Sequence, residues 1–242
     1  MIDTILFDLD GTLLPMDIEK FMKAYFEAVG KKFYDVMEPK AFVKNIMLAT
    51  NYMIENTEPH KTNQQAFEEE FSRLLGFDIT HLMERFGEFY SNEFKGLKAA
   101  ACEQPLCKDI ITVLTKKGYD VVLATNPLFP QIAIEERVRW ANIDVDVFKL
   151  ITAFEIMHYC KPRIEYYKEI MEMINKEPEC CMMVGNDVEE DMIAHRLGMK
   201  TFLLEDYIIS RNADIPPVDY RGSYRDLYDL VERLPEIAGN GR

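Results

Sequence analysis

The sequence predicts an α/β fold, a parallel-sheet core into which an all-helical segment is inserted. Three observations predict it. The stretch Thr4-Ile5-Leu6-Phe7-Asp8-Leu9-Asp10-Gly11-Thr12-Leu13-Leu14 begins as a short apolar run, the pattern of a buried strand. After Pro15, about eighty residues carry helical periodicity with no convincing strand among them. From about Gly96 onward helix and strand patterns alternate, as a parallel sheet with crossover helices requires. These boundaries divide the chain into a core, residues 1–15 and 96–242, and a helical insertion, residues 16–95.

Each element follows from local rules. Asp17 caps a helix with apolar positions Phe21, Ala24, Tyr25 and Ala28, and Gly30 is expected to end it. Phe42, Ile46, Ala49, Met53 and Ile54 recur at helical spacing. Thr62 and Gln65 form a capping-box signature for a helix bearing Phe67, Phe71, Leu74 and Leu75, with Gly76 as its C-cap. Thr80 caps a fourth helix carrying Leu82, Met83, Phe86, Phe89 and Tyr90. These Phe and Met stripes are the signature of helix-helix core.

In the second part, Ile110, Val113 and Leu114 mark a helix that stops at Lys117-Gly118, and residues 119–124 form a β-branched strand running into Thr125-Asn126. Pro130 suits the first turn of a helix reaching about Trp140. A short strand falls within 148–154. Pro162 starts a helix with Tyr166, Ile170 and Met173 on one side. Residues 180–184, opening with Cys180 and Cys181 as buried thiols, make another strand, ending at Gly185-Asn186-Asp187. A helix over 188–197 closes at Gly198, with Glu189 and Glu190 solvated, and 200–204 is the next strand. Residues 206–222, with two adjacent prolines, form a loop. Ser223 and Asp226 open a last helix whose core face is Leu227, Leu230, Val231 and Leu234.

Composition narrows the function. Hydrophobic residues make up 48% of the chain and charged residues 29%, enough apolar material for a real core. A net charge of −14 argues against a general nucleic-acid binder, which needs a basic stripe, and against docking on anionic membranes. No apolar run reaches the ~20 residues of a bilayer span, and the N-terminus lacks the features of a signal peptide. Five cysteines, odd in number and without CxxC spacing, indicate neither a zinc site nor a disulfide framework and fit a cytoplasmic location. The four histidines are scattered and are assigned no metal.

The polar residues that carry chemistry all fall at predicted strand ends or in adjoining loops. Residues i and i+2 share a face of a strand, so Asp8 and Asp10 converge as the first strand runs out. Two acids that close repel unless a cation intervenes or one of them stays protonated. Asp-Gly is also a common turn signal, so the pair alone leaves a plain turn open. Thr125 and Asn126 end the next strand, Lys161 precedes a helix, and Asp187 and Asp191 add two carboxylates. Asp8 offers a carboxylate nucleophile, Asp10 a proton donor and acceptor, Thr125 a hydroxyl and Lys161 a fixed cation. So much negative charge calls for a hard cation bound by oxygen, for which Mg²⁺ fits best, and such a metal with open positions suits phosphate oxygens. Taken singly, Thr125-Asn126 could cap a helix, Lys161 could be solvated, Asp187 could be an N-cap and Asp191 a first-turn acid.

Asp8-Leu9-Asp10-Gly11-Thr12, Thr125-Asn126, Lys161-Pro162 and Gly185-Asn186-Asp187-Val188-Glu189-Glu190-Asp191 together resemble, in order, the four motifs of the haloacid dehalogenase-like (HAD) hydrolase superfamily. The resemblance covers residues 1–15 and 96–242. It implies a Rossmann-like three-layer parallel-sheet core, and the helical insertion resembles that family's C1 cap. It further implies a Mg²⁺-dependent phosphomonoester hydrolase acting on a small phosphorylated metabolite. In that reading Asp8 forms an aspartyl-phosphate, and Asp10 protonates the leaving alcohol and then activates water. Thr12, Thr125, Asn126 and Lys161 bind phosphate or substrate. The Asp8 carboxylate, the Asp10 carbonyl and a fourth-motif residue hold the metal. Many members carry Asp where this chain has Asn186, so Asn186, Asp187 and Asp191 all stand as candidates for the remaining metal positions, Asp187 favoured over Asn186 because an anionic oxygen binds Mg²⁺ better than an amide. A phosphomutase would use the same intermediate. A catalytically weak binding or regulatory protein is the other alternative. A dehalogenase is disfavoured, because that branch lacks an acid at the position of Asp10.

Overall fold

Strand β1 (Thr4–Phe7) lies inside a six-stranded, all-parallel sheet of order β3-β2-β1-β4-β5-β6. The computed structural model describes residues 1–212 and 216–237. The other strands are β2 (Asp120–Leu123), β3 (Leu150–Ile151), β4 (Cys181–Gly185), β5 (Lys200–Leu204) and β6 (Tyr220–Gly222). In register, Phe7 stands opposite Leu123 on one side and Val184 on the other. The next residues of all three strands therefore leave the sheet at one level. That register brings Asp8, Thr125 and Asn186 to the same carboxyl edge, where open α/β sheets bind ligands.

Alternation along the strands builds the layers. Ile5, Phe7, Val121, Leu123, Met182 and Val184 pack in one buried cluster with α5 (Pro105–Lys116), α6 (Gln131–Trp140) and α8 (Tyr224–Arg233). Leu6, Val122 and Met183 pack in a second cluster with Tyr166, Tyr167 and Ile170 of α7 (Ile164–Ile174). The result is a Rossmann-like α/β core.

Between β1 and α5 the chain forms α1 (Ile18–Lys32), α2 (Pro39–Glu55), α3 (Asn63–Leu75) and α4 (Thr80–Ser91). Phe33 stacks on Phe42 at 4.9 Å between ring centroids and lies 4.4 Å from Phe86, and Phe71 meets Phe42 edge-on at 5.6 Å. Each such buried ring contributes on the order of 1.5–3 kcal/mol. The expected capping box at Thr62 and Gln65 is present, and Gly76 closes α3 with φ +77°. The first free N–H groups of α3 donate to carbonyls of the sheet region, Asn63 N to Met157 O at 2.7 Å and Gln64 N to Phe154 O at 2.8 Å.

Several expectations are corrected. Gly30 does not end α1, which runs on to Lys32; a Cβ there would sit 3.0 Å from Pro39 Cβ, so its task is close packing of α1 on α2. The first N–H of α4, that of Thr80, is met by Asp78 Oδ1 at 2.7 Å, so the Thr80 side chain is not the cap. Met173 is exposed, while Met171 and Ile174 join Tyr166 and Ile170 in the core. Cys180 is only half-buried. The presumed loop 206–222 contains β6, the outer strand, held by Asp219 against Thr201. Residues 188–197 do not form an α-helix. They form a turn and a 3₁₀ segment, Met192–Leu197, because Asp187 and Asp191 draw the first turn into other hydrogen bonds. Among the described residues no helix is long and apolar enough to cross a membrane.

Candidate active site

The end of β1 turns sharply at Gly11, whose φ of +90° favours glycine, and a Cβ there would collide with the Asn186 carboxamide. The turn carries Asp8 and Asp10 to a cavity of about 220 Å³, lined also by Thr125, Asn126, Asn186, Asp187, Glu190 and Asp191. Lys161, 1% exposed, lies behind them. Its Nζ donates to Asp8 Oδ1 at 2.8 Å and to Asp191 Oδ1 at 2.6 Å. Burial opposes the lysine's charge, but the Asp191 and Asp8 carboxylates outweigh it and hold Lys161 well above its usual range. Asp191 is fully buried against Gly185, where any Cβ would strike its carboxylate, and its Oδ2 accepts the Asp187 N–H at 2.9 Å.

The remaining predicted residues take distinct places. Thr125 lines the cavity, its carbonyl fixed by Thr152 Oγ1 at 2.7 Å and the Tyr166 hydroxyl at 2.8 Å. Asn126 accepts from the Lys161 N–H at 3.3 Å and donates to Glu190 Oε2 at 3.1 Å. Thr12 donates to Asn186 Oδ1 at 3.0 Å, and Asn186 Nδ2 donates to the Tyr207 carbonyl at 2.7 Å. Asp187 Oδ1 accepts the N–H groups of Glu189 and Glu190 at 3.0 and 2.9 Å, and its carboxylate pairs with Arg211 at 2.8 Å. The structure thus brings Asp191, rather than Asp187, to the lysine that holds Asp8.

Three residues at the site were not foreseen. Arg137 on α6 pairs with Asp10. Its signal was an arginine inside an apolar helical stripe, beside Ala133, Ile134 and Val138, all buried. Glu190, expected to be solvated, faces the cavity, and burial raises its carboxyl above the usual range. Glu189 stays partly exposed, as expected, and accepts the Arg211 and Asn212 N–H groups at 2.9 Å. Arg211 had no local signal, because a loop brings it in. At Asp10 burial raises the carboxyl, with Arg137 pulling it down and Asp8 pushing it up.

The donor set fits a divalent cation. Asp8 and Asp191 share one ammonium, which leaves net negative charge at the strand ends. Among the described residues no three His, Cys, Asp or Glu side chains close into a cage. Mg²⁺ does not need one, since it is usually held by one or two carboxylates, waters and substrate phosphate.

A parallel α/β core with acids and a buried lysine at its carboxyl edge defines a class of hydrolase. The sequence profile of the haloacid dehalogenase-like hydrolases matches residues 2–197, and the chain belongs to that family. It is 20% identical to pyrophosphatase PpaX of Bacillus mycoides, over 90% of this chain and 96% of that one. Its fold matches the HAD phosphatase of Thermococcus onnurineus with a TM-score of 0.61 at 17% identity, over 98% of this chain and all of that one. It also matches the L-2-haloacid dehalogenase of Xanthobacter autotrophicus with a TM-score of 0.58 at 12% identity, over 97% of this chain and all of that one. Fold likeness alone therefore does not separate phosphoryl transfer from dehalogenation.

Proposed function

We propose that the chain is a Mg²⁺-dependent phosphatase that hydrolyses a small phosphorylated metabolite. The observation that carries this reading is the pairing of Asp8 with a second acid, Asp10, at the same cavity. Lys161 engages Asp8 Oδ1, and Oδ2 accepts no hydrogen bond from the described residues. That oxygen attacks phosphorus while the bond from phosphorus to the leaving oxygen breaks. Asp10 gives its proton to the leaving oxygen. Water then attacks the aspartyl-phosphate, Asp10 takes its proton, and the Asp8 carboxylate departs. Lys161 and the Thr125 hydroxyl meet the phosphoryl oxygens, with Asn126 orienting the substrate and Thr12 steadying Asn186. Asp8, the Asp10 carbonyl and Asp191 would hold Mg²⁺, with Asp187 and Asn186 beside them; the ion supplies charge stabilisation for the phosphoryl group.

Helices α1–α4 serve as the cap, placing Ile18, Phe21 and Met22 on the cavity wall. The cavity of about 220 Å³ is smaller than the ~300–1,000 Å³ of sites for drug-sized ligands, which supports a compact substrate, as does the pyrophosphatase relative. Five free thiols support a reducing, cytoplasmic setting, and the charge of −14 argues against nucleic acid as substrate. The test is phosphate release from p-nitrophenyl phosphate with and without Mg²⁺. Turnover that requires the metal supports the reading, and a folded protein with no metal-dependent release sinks it. Product analysis with hexose phosphates separates hydrolysis from a mutase reaction.

A further inference from the structure

Between α1 and α2 the helical insertion carries a second concavity, a groove of about 690 Å³. Phe26 of α1 and Val43 and Met47 of α2 give it an apolar floor, and Met47 is 50% exposed. Lys23 and Lys31 of α1 stand on one wall and Lys40 and Lys44 of α2 on the other, against a single acid, Glu27. All four lysines are exposed, and none forms an ion pair among the described residues. In a chain of net charge −14, four unpaired cations around one apolar groove reverse the sign of the surface locally. Scattered exposed apolar residues need no explanation, but a contiguous apolar groove with a charged rim marks an interaction surface. The groove is separate from the active site: Met22 and Phe26 are one turn apart on α1, the first lining the cavity of Asp8 and the second the groove.

We propose that this groove docks an acidic amphipathic helix of a partner protein, which lies against α1 and α2 as a third helix. Its apolar residues, at i, i+3, i+4 and i+7, pack on Phe26, Val43 and Met47. Asp or Glu side chains on both edges of that stripe meet the lysines. The spacing of the cations sets the shape of the occupant. Lys23 and Lys31 stand about 12 Å apart along α1, and Lys40 and Lys44 about 6 Å apart along α2. Cations spread that far along both walls suit an elongated ligand with acids on two edges, whereas a lone anionic head group reaches only one or two of them. A second copy of this chain suits the groove poorly, because a two-fold contact through this face sets lysines against lysines. The proposal does not depend on the reaction assigned to Asp8.

The probe is a fluorescein-labelled peptide of about 18 residues, long enough to form a helix, with Leu at those spacings, Glu on both edges of the stripe and Ala elsewhere. Its binding to the full chain is followed by fluorescence anisotropy. The wild type is expected to bind it saturably, and roughly 10-fold or more tighter than the same peptide with Lys in place of Glu. The double substitution Lys40→Glu, Lys44→Glu should weaken binding by roughly 10-fold, and Met47→Asp by a similar factor, with thermal melts unchanged. Lys23→Glu with Lys31→Glu, on the opposite wall, repeats the test should the first pair disturb folding. Hydrogen exchange on the complex should protect α1 and α2. The proposal is overturned by an absence of saturable binding, by equal binding of a peptide with the same residues in shuffled order, or by binding that these substitutions leave unchanged. It is also overturned if phosphatidylglycerol vesicles bind the chain while the peptide does not, or if the chain self-associates and Lys40→Glu with Lys44→Glu abolishes that association.

Discussion

Lys161 ties Asp8 to Asp191: one buried ammonium lies 2.8 Å from the first carboxylate and 2.6 Å from the second, so acids from the ends of two adjacent strands are fixed together. Removing one member of a buried charge pair leaves the others uncompensated. Lys161→Met is expected to cost about 3–5 kcal/mol in urea unfolding. Adding Asp191→Asn should then cost less than it does alone, because the two changes act on one network. Additive costs would show that the two side chains do not share a bond.

Gly11 and Gly76 both have positive φ, +90° and +77°, but their surroundings differ. A Cβ at Gly76 meets open space, whereas one at Gly11 collides with Asn186. Gly76→Ala should cost about 1 kcal/mol from backbone strain alone. Gly11→Ala should cost more and should also lower phosphate release, since it displaces the carboxamide that Thr12 contacts. Thermal melts and activity measured on both variants check this. Equal costs would contradict the packing at Gly11.

Asp219 fixes the outer strand. Its carboxylate accepts from Lys200 Nζ at 2.6 Å and from the Thr201 N–H at 3.0 Å. Burial works to raise its carboxyl, but the bonds from Lys200 and Thr201 outweigh it and hold it below the usual carboxylate range. A depressed folded-state value means the stabilisation is present above the unfolded value and is lost as pH falls through the folded one. Asp219→Asn should therefore lower stability by about 1 kcal/mol at neutral pH. The gap to wild type should close as pH drops below about 4. A difference independent of pH would contradict the ion pair.

The thiols should react in order of burial. Cys102 is exposed, while burial pushes the Cys107, Cys160 and Cys181 thiols up to about 12. Because the thiolate is the reactive species, a native-state thiol titration should modify Cys102 first, and those three only on unfolding. Rapid modification of Cys160 would contradict the packing beneath the site.

Much of the fold was legible because its signals are local. Thr62 with Gln65, Ser223 with Asp226 and the apolar strand runs state their own structure. Three of the four motifs were legible because they follow strand ends, which the register of β1 with β2 and β4 collects, while Lys161 sits in the loop before α7. What was not legible depends on distant partners. β6 is three residues long and exists because Asp219 finds Thr201. The 188–197 segment has helical periodicity, yet Asp191 turns inward to a lysine thirty residues away in sequence. Arg137 is an ordinary helix residue in composition, and only the tertiary structure sets it beside Asp10.

In the proposed mechanism Asp8 carries the phosphoryl group. The most direct test of this is peptide mass spectrometry of protein quenched in acid during turnover with Mg²⁺ and p-nitrophenyl phosphate, whose leaving group departs without a proton from Asp10. Asp10→Asn, which slows hydrolysis of the intermediate, should accumulate one phosphoryl group on the peptide containing Asp8, and Asp8→Asn should show neither adduct nor phosphate release. A folded Asp8→Asn protein that releases phosphate at the wild-type rate would contradict the account.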